Sequence, residues 1–174
     1  MANISDRLKA SIGDGIVTSL FPVVRFFRDV GIGDSINNVE YNKTFNVSIK
    51  DVNLEAHQDQ PYHRIHFLPL LTKAPTITYK ADLINNKYTI SSVTLSISNT
   101  KHDGIVFSDI VDKYLNAVCK IYFCASGLNH IDQCYLAYSG TIVRYKQSQT
   151  TLDLTIEDLT NQVLENLCPT SLIP

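Results

Sequence analysis

The chain has 174 residues, a formal net charge of −2, and 44% hydrophobic against 18% charged residues. This length predicts one domain, or one domain with an arm, and suffices to bury roughly 70% of the surface that the unfolded chain exposes. Singly scattered Lys and Arg exclude a nucleic-acid footprint, and the absence of a long apolar run or signal-peptide pattern predicts a soluble protein made in the cytoplasm, without a membrane segment.

The first 40 residues have no clear strand pattern. Ile4, Leu8 and Ile12 would share one face of a short helix that stops at Gly13. An apolar stretch follows, broken by Pro22, and then a Gly- and Asn-containing loop. We therefore expect residues 1–40 to form an N-terminal arm or peripheral element, and residues 41–174 to form the main domain.

Strand patterns begin after residue 43, where Phe45, Val47 and Ile49 alternate with polar residues. The strongest pattern is KYTISSVTLSISN, residues 87–99, in which apolar side chains recur with the period of two of a β-strand. The phase of this alternation reverses near Ser91-Ser92, which predicts a bulge or sharp bend. A segment that changes face in this way usually joins two sheets or turns a barrel corner.

The second half of the chain predicts one short helix and one clear hairpin. Residues 108–115 fit about two helical turns with Ser108 as the N-cap, and residues 117–123 fit a strand. Residues 135–146 and 151–157 form the predicted hairpin, with Leu152, Leu154 and Ile156 facing inward. Apolar residues from Leu159 to Leu167 then recur at helical spacing, up to Pro169.

These patterns together predict a mainly β protein. We count about seven short strands, with turn signals roughly every ten residues, which is typical of an antiparallel β-barrel or sandwich. One or two short helices and the N-terminal arm complete the expected fold.

The four cysteines are Cys119, Cys124, Cys134 and Cys168. They are too few and too irregularly spaced to indicate a disulfide framework. Cys119 lies within an apolar run typical of a buried strand. The pattern therefore favours buried free thiols.

The candidate metal ligands have unfavourable spacing. His57, His63 and His66, with Asp59 between them, lie in one segment, but His63 and His66 would face opposite sides of a strand. Cys124, His130 and Cys134 match no standard zinc spacing, and HExxH and paired CxxC motifs are absent. We therefore interpret these residues as loop and strand positions and expect no metal and no cofactor.

No catalytic set emerges from the sequence. A GxSxG nucleophile elbow is absent, and Gly13-Asp14-Gly15 and Gly31-Ile32-Gly33 lack the strand–turn–helix context of a phosphate site. Glu157-Asp158 could be an acid/base pair, but a carboxylate pair at a helix start more often complements the helix dipole. The sequence thus predicts that the protein is not an enzyme.

Five motifs occur in an order that resembles a known family. They are KYTISSVTLSISN, then FSD at residues 107–109, CKIYF at 119–123, YSGTIVR at 138–144 and LTIEDLT at 154–160. In this order they resemble the N-terminal β-domain of tail hub (baseplate hub) proteins of tailed bacteriophages, especially marine and cyanobacterial phages. The resemblance covers about residues 65 to 170.

The resemblance implies a structural role in the virion. Such hub domains form a ring at the distal end of the tail tube and connect it to distal tail, fibre, spike or other receptor-binding parts. It implies a homo-oligomeric ring, with a trimer favoured over a hexamer. Members of this family are usually longer, so the chain could be the N-terminal part of a larger protein.

Within such a ring, aromatic side chains would contact the neighbours. We expect Tyr41, Tyr62 and Tyr114 to be exposed and to form these contacts, whereas Tyr138, Gly140 and Arg144 would shape the hairpin.

Two other functions remain open from the sequence. A carbohydrate- or receptor-binding β-module of a tail fibre or spike could use Tyr62 beside His63 and Asp59. A metal-dependent hydrolase could use the three histidines and would then hold stoichiometric metal.

Overall fold

The computed structural model describes residues 19–28, 44–57, 60–82, 87–90, 92–102, 104 and 106–158. Strands dominate these residues, which confirms the predicted mainly β fold. The strands are β1 (Leu20–Phe27), β2 (Thr44–Ser48), β3 (Val52–His57), β4 (Gln60–Phe67), β5 (Tyr79–Asp82), β6 (Lys87–Ile90), β7 (Val93–Ser98), β8 (Val118–Ala125), β9 (Tyr135–Gln147) and β10 (Thr151–Asp158). Three short 3₁₀ turns span Phe107–Asp109, Val111–Tyr114 and Ile131–Gln133.

Six of the strands form one antiparallel sheet. Its order is β2-β1-β8-β9-β10-β7, while β3-β4 and β5-β6 form separate two-stranded sheets. The hairpin of β9 and β10 matches the predicted one, and Leu152, Leu154 and Ile156 are fully buried as expected. The large sheet curves into a half-barrel.

One short segment, residues 68–72, spans the open side of this half-barrel. Leu68 forms a parallel bridge with Val47 of β2, and Leu71 forms an antiparallel bridge with Ile97 of β7. The Ser48 N–H donates to the Leu68 carbonyl over 2.8 Å. The two edge strands of the sheet are therefore both hydrogen-bonded to the same segment, which covers edges that would otherwise be open to pairing with another chain.

Two hydrophobic clusters lie on opposite faces of β1. The large cluster contains the alternate residues Val24 and Phe26 together with inward residues of the other sheet strands. The small cluster contains Phe21 and Val23 and lies between the sheet and the β3–β4 hairpin; its other members are Leu54, Ile65, Phe67, Cys124, Ile131 and Cys134.

The prediction of a peripheral N-terminal arm is wrong for Leu20–Phe27. This segment is β1, an interior strand paired with β2 and β8, and Phe21–Phe27 are all buried. Because β1 is buried on both faces, its sequence LFPVVRFF has no alternation to reveal it. Pro22 is tolerated because β1 pairs with β2 only from Val23 onward. Pro22 therefore has a paired residue in β8 but none in β2. The remainder of residues 1–40 lies outside the described residues, apart from Ser19 and Arg28.

The break predicted near Ser91-Ser92 is confirmed. Residues 87–90 form β6, which pairs with β5, whereas residues 93–98 form β7 in the large sheet. The change of phase therefore marks the passage from one sheet to another. Ile49, which continues the alternation of Phe45 and Val47 in the sequence, follows the end of β2 and is 43% exposed.

The predicted helix over residues 108–115 is two consecutive 3₁₀ turns. The first begins at Phe107, and Ser108 lies inside it and does not cap it. The proposed helix after residue 158 lies outside the described residues, and Glu157 and Asp158 are the last residues of β10.

Candidate functional site

Tyr114, one of the predicted contact residues, is buried and not exposed. Its side chain is 4% exposed and packs beside Phe26, Phe45 and Phe107, with ring centroids 5.7–6.5 Å away. The Phe45 and Phe107 rings stack at 4.2 Å. The predicted contact of Tyr114 with a neighbouring chain rested on its exposure, and that premise is wrong. Its ring instead anchors the 3₁₀ turns to β1 and β2.

The contacts predicted for the other two residues, Tyr41 and Tyr62, stay predictions. Tyr41 lies outside the described residues. Tyr62 lies in β4, but the structure describes only its backbone. The same holds for His63, and Asp59 lies outside the described residues, so the proposed carbohydrate site stays untested.

The histidines of the proposed metal site lie along one hairpin. His57 ends β3, and His63 and His66 lie in β4. The His66 Nε2 atom lies 2.9 Å from Asp51 Oδ1 at the exposed hairpin base. Among the described residues, no group of three or more His, Cys, Asp or Glu side chains is arranged to hold a metal ion.

The expectation of free thiols is wrong for Cys124 and Cys134, which form a disulfide. Phe123 of β8 pairs with Tyr135 of β9, so the two cysteines occupy the next facing positions, with Cα atoms 4.6 Å apart. The sequence signal was the position of one cysteine on each side of the loop between two strands. Cys119 is free and fully buried, as expected, and Cys168 lies outside the described residues.

Tyr138, Gly140 and Arg144 all contact β10, as predicted for residues that shape the hairpin. The Tyr138 hydroxyl donates to the Ile156 carbonyl over 3.3 Å. Arg144 Nε donates to the Thr155 hydroxyl over 3.3 Å. A Cβ at Gly140 would meet the Glu157 carbonyl, so the close approach of the strands requires glycine here.

A row of polar side chains crosses the large sheet, and this row was missed in the sequence analysis. Arg25 of β1 faces Asn46 of β2 and Lys120 of β8 in register. Arg25 is only 9% exposed, donates to Asn46 Oδ1 over 3.3 Å, and holds its guanidinium 4.7 Å from the Phe27 ring centroid. Cross-strand register, which single-sequence periodicity does not provide, was needed to bring these residues together.

Burial shifts the pKa values of Arg25 and Lys120 in this row and of the nearby Tyr122. Burial lowers the pKa of Arg25, and the nearby Tyr122 and Asp132 partly offset this shift. Burial and the Arg25 charge together lower the pKa of Lys120. Burial raises the pKa of Tyr122 to about 12, although the Arg25 cation acts in the opposite direction. The row therefore holds the charged side chains of Arg25 and Lys120 on neighbouring strands of the sheet. Its residues include no nucleophile–base pair.

Three exposed apolar side chains lie at one end of the large sheet. Leu20 begins β1, Ile49 follows β2 and Leu136 lies near the start of β9, with exposures of 48%, 43% and 40%. Antiparallel pairing of β2, β1, β8 and β9 places these positions at the same end. We call these three residues the apolar rim. Leu115, 38% exposed, lies at the opposite end of β8.

The helices of the described residues are too short and too polar to span a membrane.

The chain matches no protein-family model. It likewise matches none of the curated proteins. Its structure is similar to a chain in the virion of a native gene transfer agent (GTA) particle, with a TM-score of 0.60 and 14% identity over 97% of this chain. This chain spans about half of that virion chain, 49% of its length. The half-barrel is therefore a fold that this chain shares with a chain of the GTA virion.

Proposed function

We propose that the chain is a structural component of a phage-like virion, and more specifically part of a tail hub ring at the distal end of the tail. The observation that carries the proposal is the shared fold, which extends over 97% of the chain. The motif order from residue 65 to residue 170 supports the hub assignment independently, because it is a property of the sequence and not of the fold.

The apolar rim supports an oligomer. Exposed large apolar side chains are ordinary when they occur singly, and we interpret three at the same end of the sheet as part of a contact surface. A closed ring forms when one surface of a subunit binds a different surface of the next copy. We infer that Leu20, Ile49 and Leu136 are covered by a second copy of the chain or by a tail neighbour.

The proposed role is structural and not catalytic, and it places the protein in the virion. Its partners would be further copies of the chain and the tail tube, distal tail, fibre or spike proteins.

Light scattering on the purified chain over a concentration series tests the ring. We expect a discrete trimer or hexamer. Leu20→Lys and Leu136→Lys should each lower the oligomer mass toward the monomer, since each would bury a charge at the rim. Leu115→Lys, a matched change at the opposite end, should leave the mass unchanged.

A chain that stays monomeric at high concentration and binds no tail protein would contradict the proposal. An oligomer equally sensitive to all three substitutions would show that the contact does not lie at the rim.

A further inference from the structure

The Cys124–Cys134 disulfide closes the loop that joins β8 to β9. The two cysteines are separated by 10 positions and flank the 3₁₀ turn Ile131–Gln133. Both are buried, Cys124 at 0% and Cys134 at 7% exposure, within the small cluster. The disulfide therefore lies in the layer that joins the β3–β4 hairpin to the sheet.

The closed loop holds the hairpin through three kinds of contact. The Glu55 N–H of β3 donates to the Asn129 carbonyl over 2.7 Å. The Glu55 carboxylate lies 3.1 Å from His130 Nε2. Ile131, 3% exposed, packs in the small cluster with Leu54 and Ile65 of the hairpin. All the loop residues involved lie between the two cysteines.

The base of the hairpin is attached in a different way. The Ser48 N–H donates to the Leu68 carbonyl over 2.8 Å, and the Leu68 N–H donates to the Asn46 carbonyl over 3.0 Å. These bonds join the C-terminal end of the hairpin to β2 without any loop residue. The body of the hairpin thus contacts the loop in addition to Phe21 and Val23 of β1, whereas its base has no bond to the loop.

The large cluster is also independent of the disulfide. Its cysteine, Cys119, is fully buried and free, and no residue from 124 to 134 belongs to the cluster. A change in the state of the Cys124–Cys134 pair would therefore act on the small cluster, while the packing of the half-barrel stays intact.

We propose that the Cys124–Cys134 pair is a redox-dependent clamp: the disulfide holds the β3–β4 hairpin against the sheet, and the dithiol releases it. This inference does not depend on the virion role.

The chemistry is thiol–disulfide exchange with a low-molecular-weight disulfide such as oxidised glutathione. One cysteine thiolate attacks the small disulfide, forms a mixed disulfide and expels one small thiolate. The second cysteine thiolate attacks the mixed disulfide, forms the Cys124–Cys134 bond and expels the other. Two protein thiols are oxidised, one small disulfide is reduced to two thiols, and the two protons pass to the expelled thiolates. Reducing compartments favour the released state and oxidising media the clamped state.

Hydrogen exchange on the oxidised and dithiothreitol-reduced protein tests the clamp. The test uses a Cys168→Ser variant, in which the fully buried Cys119 is the remaining free thiol. On reduction, amides of the hairpin body should exchange faster, by at most roughly 100-fold, which is the factor that loop-closure entropy gives for an opening that disorders a loop of this size. The Glu55 amide, which donates directly to the loop, is the most specific reporter. Amides of β7, β9 and β10 should accelerate far less.

A Cys124→Ala/Cys134→Ala variant in the same background is the matched control. Without dithiothreitol its hairpin should exchange at the rate of the reduced protein, and dithiothreitol should not change that rate. Equal acceleration in all strands would overturn the proposal, because the disulfide would then stabilise the whole fold without selectivity. An unchanged Glu55 amide on reduction would overturn it as well.

Discussion

Gly140 occupies a position on β9 where a larger side chain has no room. A Cβ there would meet the backbone carbonyl of Glu157 and come within 2.8 Å of Ile156 Cγ2. The clash involves backbone, so a change of rotamer cannot relieve it. Gly140→Ala should lower the free energy of unfolding by about 1–3 kcal/mol or more.

Chemical denaturation of Gly140→Ala and of Ser139→Ala measures this loss. Ser139 is the adjacent, half-buried residue, and its truncation introduces no new atom. If both variants were as stable as the parent chain, the close approach of β9 and β10 would be contradicted.

Tyr122 should make the free energy of unfolding depend on pH in the alkaline range. Burial raises its pKa to about 12, above the ordinary value near 10. A group whose pKa is raised on folding stabilises the fold below the unfolded pKa and loses this contribution as pH rises through the folded pKa. Stability attributable to Tyr122 should therefore be present below about pH 10 and should fall between about pH 10 and 12.

Tyr122→Phe should flatten this part of the profile, because the ring remains and the ionising hydroxyl is gone. Thermal unfolding midpoints of both proteins at several pH values provide the comparison, and absorbance titration follows the tyrosinates directly. Parallel profiles for the two proteins would refute the assignment.

At the level of elements, alternation predicted those strands that have one buried and one open face. β10 is an example, since Leu152, Leu154 and Ile156 are buried while the residues between them are half-buried or exposed. β1 could not be predicted in this way, because the large cluster covers one of its faces and the small cluster under the β3–β4 hairpin covers the other. Periodicity reports the contrast between two faces, and β1 has none.

The candidate contact residues show the same limit. Tyr114 was expected to be exposed, yet the rings of Phe26 in β1 and Phe45 in β2 pack beside it and bury it. Those rings are far away in sequence, so local pattern could not place them. Cys124 and Cys134 were misjudged for a related reason, since only the register of β8 and β9 makes them face each other.

At the level of the whole molecule, the half-barrel depends on the segment 68–72 that joins its two edges. The Leu71 N–H donates to the Ser48 carbonyl of β2 over 2.9 Å, and the Thr72 N–H donates to the Ser96 carbonyl of β7 over 2.9 Å. A sheet edge without such cover is a template for pairing with other chains. The segment therefore contributes to stability, and we expect it to protect the isolated chain against aggregation.

Leu71→Pro removes the N–H that reaches β2 and should detach the segment from that edge. We expect a loss of at least about 2 kcal/mol in the free energy of unfolding, since a buried carbonyl loses its donor. We also expect aggregation that increases with protein concentration. Leu71→Val keeps the amide and most of the buried volume, so it should lose much less stability and stay dispersed. Denaturation curves and light scattering on the two variants distinguish these effects. Similar aggregation in both would show that side-chain packing, not edge cover, prevents the chains from aggregating.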